Sequence, residues 1–265
     1  MSANSLSNIH RRLGKVATRR HAEKPKRSHN WRMLLILPLW VAVAFILSNI
    51  IVVALMTILS WMKMPVESFL LPAVEQTVVA VFIYIITIAI AIGVPYSKSK
   101  MTNRTELGLT RLPSWTDIGL APVGFIVYIL MISTVLAIVT SWMPYFPLDQ
   151  AQKIGFKAFG SQSDNILAFL TLVVVAPFAE ELLFRGYLYG KLKNYVPAIV
   201  AAIATSLLFG LAHGQLNVGI DVFVLSLVLC SLRSLTGSIW AGVLVHVIKN
   251  GLAYFLFFVA PLMGL

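Results

Sequence analysis

Long apolar stretches separated by short polar segments run through most of the chain. Residues 33–62 contain no charge, and residues 69–94 carry only Glu75. The stretch between Asp117 and Asp149 is uncharged as well. A membrane-spanning helix needs about 20 apolar residues, so each stretch predicts one transmembrane helix. No alternation typical of β-strands is sustained, and no repeat of fixed period appears.

Four further apolar segments in the second half of the chain predict four more helices. The first of them contains Pro177, which removes a backbone hydrogen bond and either opens a water path into that helix or only adjusts its packing. The pattern therefore predicts an all-α polytopic integral membrane bundle of about seven transmembrane helices. The four segments cover about 166–194, 197–213, 219–232 and 237–265.

Composition supports a membrane protein and narrows the class. Hydrophobic residues make up 58% of the chain and charged residues 12%, with a mean hydropathy of +0.86. Soluble domains have about 45–50% apolar and about 25% charged residues, so an ordinary soluble enzyme and a disordered chain are excluded. A single cysteine, Cys230, excludes an internal disulfide framework.

The net charge of +11 is concentrated in the first 32 residues, which hold nine Lys and Arg against Glu23. The high isoelectric point therefore describes a basic tail (1–32) in front of a transmembrane domain (33–265), and no nucleic-acid partner is expected. The first span is too long for a signal peptide, whose apolar region has about 7–15 residues. The tail is either solvated or forms a short interfacial helix on anionic lipid.

Lysine and arginine are distributed unevenly between the two sides of the predicted bundle. With seven spans and the tail inside, sixteen fall on cytoplasmic segments and three, Lys63, Lys153 and Lys157, on outer loops. The positive-inside rule then predicts a cytoplasmic N-terminus and an outside C-terminus, in the plasma (inner) membrane.

Ionisable residues within the predicted spans are few, and each costs about 2.5–3.5 kcal/mol at the bilayer centre. Three of the five histidines lie in the tail, whereas the other two lie in spans. We expect Asp221 to act at a helix start, where an acid is favoured by the dipole. We expect Lys249 to snorkel or to face a cavity. The ionisable residues in spans are Glu75, Glu180, Glu181, Arg185, His213, Asp221, His246 and Lys249.

Two adjacent glutamates on the fourth span differ in their predicted partners. Glu181 and Arg185 are four residues apart, acid first, which favours an ion pair on one helix face. Glu180 lies about 100° around the helix and has no local partner. It is therefore a candidate for proton handling, or alternatively a structural partner of another helix.

His246 and Asn250 are four residues apart on the seventh span and project from one face. Together with His213 and Glu180, they predict a site assembled from three helices. At 1.5 Å per residue, Glu180 and His213 lie about 22 and 25 Å from a shared turn at 194–197, but His246 lies only about 14 Å from the start of its helix. Either the fourth helix projects into the cytosol before the turn at 194–197, or the seventh helix begins closer to the cytosol than Gly237 suggests.

These residues form three motifs that resemble the CPBP family, which comprises CAAX-type prenyl endopeptidases and bacteriocin-processing or self-immunity membrane proteins. The family pattern is EExxxR, FxxxH and HxxxN, and the resemblance covers about residues 165–255. The matching segments are Glu180-Glu181-Leu-Leu-Phe-Arg185, Phe209-x-x-x-His213 and His246-x-x-x-Asn250.

The resemblance implies an intramembrane endopeptidase and a role for each motif residue. Glu180 would activate water as general base, and His213 would help to hold that water. His246 and Asn250 would polarise the scissile carbonyl and stabilise the oxyanion. The motif residues that would maintain the shape of the site are Glu181, Arg185 and Phe209.

Cofactor and substrate stay open at this point. The family has been described both as metalloproteases and as glutamate-dependent enzymes, so Zn²⁺ held by Glu180, His213 and His246 is an alternative to a metal-free site. The implied substrate is a peptide or membrane protein: a prenylated CaaX-type protein, another membrane-associated protein or a leader peptide. The sequence contains no HExxH, GxGD or GxSG motif of other intramembrane hydrolases.

Two other functional classes compete with a protease. In a proton-coupled transporter, Glu180 and Glu181 would serve as relay groups, although the inverted repeats common in transporters are not evident. A catalytically silent immunity or scaffold protein of the same fold is the other alternative, against which the intact set of motif residues argues.

Overall fold

The computed structural model describes residues 29–63, 72–97, 102–147 and 162–260. Over these ranges the chain forms helices and no strand, so the predicted all-α fold is confirmed. The tail up to residue 28 and the loop residues Lys153 and Lys157 lie outside them. The helices are α1 (Met33–Trp61), α2 (Pro72–Ile88, continuing as Ala89–Gly93 and Val94–Ser97), α3 (Arg104–Leu107), α4 (Trp115–Trp142), α5 (Gln162–Phe169, continuing to Tyr189–Leu192), α6 (Ala198–Ala212), α7 (Leu216–Thr236) and α8 (Trp240–Tyr254, continuing as Phe255–Val259).

Six of the described helices are long and apolar enough to cross a membrane: α1, α2, α4, α5, α7 and α8. The apolar helix α6 has 15 residues, which at 1.5 Å each is shorter than a hydrocarbon core of about 30 Å. The long helices expose large apolar side chains such as Leu35, Ile50 and Leu130, as a lipid-facing surface requires. Together with α6 they account for the predicted bundle of about seven helices.

Helix α2 is held between α1 and α5 by polar side chains. On the α1 side, Trp40 donates to the Ala91 carbonyl at 3.0 Å and Ser48 bonds to Thr87 at 2.6 Å. The chain numbers run in opposite directions along these contacts, so α1 and α2 are antiparallel. On the α5 side, the first contact is a hydrogen bond from Thr171 to Thr77 at 3.1 Å.

Helix α7 is longer than the predicted 219–232. It continues through Arg233 and ends where Gly237 adopts a positive φ of 68°. The prediction placed Arg233 in a cytoplasmic loop, but its side chain is buried and donates to the carbonyl oxygens of Thr105 and Glu106 at 3.1 and 2.9 Å. A helix can carry this arginine in its last turn because α3 supplies the acceptors.

The difference in depth between the two ends of the site is explained by a long α5. A Cβ on Gly186 would lie 3.0 Å from the Leu107 carbonyl oxygen, so α5 touches the backbone at the end of α3. One residue further, Gly108 accepts a hydrogen bond from the backbone N–H of Ile239 at 3.3 Å, where α8 begins. Helix α8 therefore starts level with Gly186, and α5 projects beyond that level toward the turn at 194–197.

Helix α5 widens into π-helical geometry at Leu170–Val175 and again at Glu181–Leu188. In the first of these segments, Ala176 N–H reaches back five residues to the Thr171 carbonyl. Pro177 follows and has no N–H to continue the series. Irregular segments of this kind occur often at functional sites, and the second one begins at the motif glutamates.

Candidate active site

The predicted ion pair between Glu181 and Arg185 forms in the buried interior of α5's packing surface. Arg185 Nη1 lies 2.8 Å from Glu181 Oε1, and both side chains are fully buried. Burial of either charge alone would cost several kcal/mol, so each stabilises the other in this low-dielectric setting. The guanidinium also stacks over the Phe209 ring, with 4.4 Å between Arg185 Cζ and the ring centroid.

His246 on α8 contacts both glutamates through different ring nitrogens. Its Nδ1 lies 3.2 Å from Glu181 Oε1, and its Nε2 lies 3.7 Å from Glu180 Oε2. An ionised carboxylate only accepts hydrogen bonds, so Nδ1 is the donor to Glu181. This bond fixes the buried imidazole with Nε2 directed at Glu180.

A glycine on α8 allows the close approach of Glu181. Gly242 lies one turn before His246, and a Cβ at this position would stand 2.7 Å from Glu181 Oε2. No ordinary side chain fits in that space without displacing the carboxylate. The α8 backbone therefore borders the glutamate directly.

Glu180 has no partner on its own helix, as predicted, but it has one on α2. The hydroxyl of Tyr84 donates to Glu180 Oε1 at 2.6 Å. About 17% of the Glu180 side chain is exposed, whereas Glu181 is fully buried. Sequence reasoning missed Tyr84, because a tyrosine within an apolar span 96 residues upstream carries no local signal.

Phe209 brings the remaining motif histidine to this group. Its buried ring contacts His213 edge-on at 4.9 Å and His246 edge-on at 6.0 Å between centroids. His213 Nδ1 lies 2.8 Å from the Phe209 carbonyl oxygen, an acceptor, so this nitrogen carries the proton when the ring is neutral. The second nitrogen, Nε2, is then an acceptor in a half-buried side chain.

Asn250, one turn beyond His246, also faces α5. Its Nδ2 donates to the Leu172 carbonyl oxygen at 2.9 Å. In the π-helical register, the donor to Leu172 would be the N–H of residue 177, which a proline lacks. Asn250 therefore satisfies the carbonyl that Pro177 leaves without a backbone donor, and its second N–H is not used by this bond.

These contacts bring Glu180, Glu181, Arg185, His246 and, through Phe209, His213 into one group, with Asn250 at its edge. Comparison with protein families identifies the segment that carries it. Residues 162–252 match the type II CAAX prenyl endopeptidases, Rce1-like. The resemblance drawn from the three motifs is confirmed. No curated protein and no solved structure gives a significant match.

The Rce1-like segment spans α5 to α8 and covers about a third of the chain. It includes all three motifs and excludes Tyr84. At the level of the family, the match indicates a protease, and with the six long apolar helices it makes the chain an integral membrane protein.

The zinc alternative is not supported by the geometry of the Rce1-like segment. Among the described residues, no group of three or more His, Cys, Asp or Glu side chains is arranged to hold a metal ion. Glu180 and His246 approach one another. The contacts of His213 are instead with Phe209, through its ring and its backbone carbonyl oxygen.

A second polar group, here called the aspartate cluster (Tyr128, Asp221 and Lys249), joins α4, α7 and α8. Lys249 Nζ lies 3.1 Å from Asp221 Oδ2, and the Tyr128 hydroxyl donates to Asp221 Oδ1. The dipole role predicted for Asp221 is wrong, because α7 begins at residue 216 and the aspartate lies in its second turn. Its carboxylate instead binds neighbouring helices.

Proposed function

We propose that the protein is an intramembrane endopeptidase in which Glu180 activates water for attack on a peptide bond. One observation carries this proposal: Glu180 Oε1 is held by Tyr84 while Oε2 lies 3.7 Å from His246 Nε2. That separation is too long for a hydrogen bond, so Oε2 is available to a water and Nε2 to a substrate.

The charges of the group are consistent with this division of labour. With a protonated His246, the two carboxylates are balanced by two cations, the imidazolium and the Arg185 guanidinium. The group then has no net charge, which is favoured in a low dielectric. The protonated ring has two donors. One is bound to Glu181, and the other is free to stabilise an oxyanion.

The proposed reaction follows from these positions. Water gives one proton to Glu180 Oε2 as its oxygen attacks the scissile carbonyl, while its remaining O–H donates a hydrogen bond to His213 Nε2 and stays on the oxygen. His246 and the second N–H of Asn250 donate to the oxyanion of the tetrahedral intermediate. Glu180 then returns the proton to the leaving amine nitrogen as the C–N bond breaks.

The substrates that we propose are prenylated CaaX-type proteins, other membrane-associated proteins or leader peptides. The name of the matching family supports the prenylated CaaX-type proteins. The position of the site among apolar helices supports the other two substrate classes. We further propose that the basic tail binds anionic lipid on the cytoplasmic side of the plasma membrane.

The deciding experiment compares two glutamates in the membrane helices. Purified protein is incubated with membrane-anchored and prenylated peptides, and products are read by mass spectrometry. Glu180→Gln keeps size and hydrogen bonding but removes the base, so cleavage should fall about a hundredfold or more while peptide binding is retained. Glu75→Gln is the matched control and should cleave as the parent does.

Parental cleavage by Glu180→Gln would end the mechanism. A parent that cleaves none of the peptides but shows proton-coupled uptake abolished by Glu180→Gln would instead identify a transporter. A parent that does neither would identify a silent scaffold.

The orientation proposal has its own test. The sequence assigns sixteen Lys and Arg to the predicted cytoplasmic side and three to the other, which supports a cytoplasmic N-terminus and an outside C-terminus. Reporter fusions at both ends should report opposite sides. Both ends on one side would require an even number of spans.

A further inference from the structure

The side chains proposed to carry out or support cleavage are here called the catalytic group (Glu180, Glu181, Arg185, His213, His246 and Asn250). Tyr84 reaches this group from outside the segment that matches the protease family. It lies on α2, whereas the match begins at residue 162. Its hydroxyl donates to Glu180 Oε1 at 2.6 Å, a length typical of a hydrogen bond to a charged oxygen. The contact joins residues 96 positions apart in the sequence.

The position of Tyr84 is fixed by the packing of α2. Toward α5, Thr77 and Thr171 form a hydrogen bond two turns before the Tyr84–Glu180 contact. Toward α1, Thr87 bonds Ser48 within one turn of Tyr84. The chain numbers increase in the same direction along α2 and α5, as expected for the second and fourth spans. The tyrosine is therefore presented to Glu180 by a helix restrained on two sides.

The surroundings of Glu180 show what the hydroxyl does. His246 faces the second oxygen, Oε2, at 3.7 Å. Arg185 is paired with Glu181. The His213 ring contacts Phe209 edge-on, and its Nδ1 faces the Phe209 carbonyl oxygen. Of the described side chains, Tyr84 is the one with a hydrogen bond to Glu180 Oε1, so it determines which carboxylate oxygen stays available.

We propose that Tyr84 is a positioning residue for the general base. It holds Oε1 of Glu180 so that Oε2 faces His246 and the attacking water. The proposal rests on the proposed function, in which Glu180 is that base. A purely structural link between α2 and α5 is the competing interpretation.

The chain offers a close control for the substitution Tyr84→Phe. Tyr128 also donates its hydroxyl to a carboxylate on another helix, that of Asp221, and lies outside the catalytic group. Tyr84→Phe and Tyr128→Phe therefore remove the same kind of interaction and keep both rings.

Steady-state cleavage provides the first measurement. We expect Tyr84→Phe to lower kcat about ten- to hundredfold with KM nearly unchanged, because a hydrogen bond to a charged group is lost where the base must be aligned. Tyr128→Phe should leave kcat near the parental value. A parental kcat in Tyr84→Phe, or an equal fall in both variants, would overturn the proposal.

Infrared spectroscopy provides a measurement that does not depend on cleavage. The carboxylate band of Glu180 is assigned by its loss in Glu180→Gln, and it should shift in Tyr84→Phe but not in Tyr128→Phe. An unshifted band would overturn the positioning role. If the band shifts but no peptide is cleaved, the proposed function fails while the contact stands, so the two failures are distinguishable.

Discussion

Two carboxylates within the bundle each accept a hydrogen bond from a tyrosine on another helix, yet they differ in their second oxygen. Asp221 Oδ2 forms an ion pair with Lys249 at 3.1 Å. Glu180 Oε2 lies 3.7 Å from His246 Nε2, beyond hydrogen-bond distance. One carboxylate is therefore fully engaged, and the other has an oxygen available.

This difference distinguishes charged residues that link helices from a charged residue that is available for a reaction. The aspartate cluster satisfies an acid with a base and links α4, α7 and α8, which is sufficient reason for its presence. The pair Glu181–Arg185 does the same within α5. Glu180 accepts a hydrogen bond from a tyrosine at one oxygen. Among the described residues, the cation within ion-pairing distance of its other oxygen is His246, at 3.7 Å. A charge kept in this state in a membrane indicates function.

The largest effect should come from breaking the fully buried pair. Arg185→Leu leaves Glu181 as an unpaired buried charge and should lower the free energy of unfolding by about 3–5 kcal/mol. The measurement is equilibrium unfolding in mixed detergent and SDS micelles. In Glu181→Gln/Arg185→Leu no charge is left unpaired, so stability should partly return.

A double variant less stable than Arg185→Leu would contradict the pairing. Lys249→Leu serves as the comparison for the aspartate cluster. Lys249→Leu should lower the free energy of unfolding by less than Arg185→Leu does. In this pair 17% of the lysine and 26% of the aspartate side chain are exposed, so water can reach the remaining charge.

Local spacing made much of the site predictable. Glu181 and Arg185, and likewise His246 and Asn250, are four residues apart, and a helix brings such residues to one face whatever surrounds it. The apolar stretches predicted the approximate number of helices, because the length and composition of a segment determine whether it can span a membrane.

Contacts between distant helices were not predictable from one sequence. Tyr84 looks like an ordinary residue of its span, and Asp221 was expected to act at a helix start. The partners of both depend on how helices pack. The end of α7 was misplaced because a charge normally marks a helix limit, whereas Arg233 is buried against the α3 carbonyls. The depth of His246 required knowing that α5 extends past the start of α8.

The next effect concerns Asn250, which serves both the backbone and, we propose, the oxyanion. Asn250→Ala leaves the Leu172 carbonyl without its donor and should cost about 1–3 kcal/mol of stability. Pro177→Ala restores a backbone N–H, so the same change should cost less in that background. Equilibrium unfolding of the four-variant cycle measures the coupling.

Cleavage by the same variants separates the two roles of Asn250. If its second N–H stabilises the oxyanion, Asn250→Ala should lose about 2.7–4 kcal/mol of transition-state stabilisation in both backgrounds. Recovery of cleavage together with stability in the Pro177→Ala background would show that the amide acts only on α5. It would then belong with the aspartate cluster rather than with Glu180.

The smallest effect is expected from neutralising the aspartate cluster as a whole. Asp221→Asn/Lys249→Met removes both charges and leaves no ion unpaired, so stability should change by about 1 kcal/mol or less, as for a partly exposed ion pair. Cleavage should stay within about tenfold of the parent, which corresponds to about 1.4 kcal/mol. The measurements are equilibrium unfolding and steady-state cleavage on one preparation. Because Lys249 directly precedes Asn250, a large loss of cleavage at parental stability would place the lysine in the catalytic group and remove the contrast between the two carboxylates.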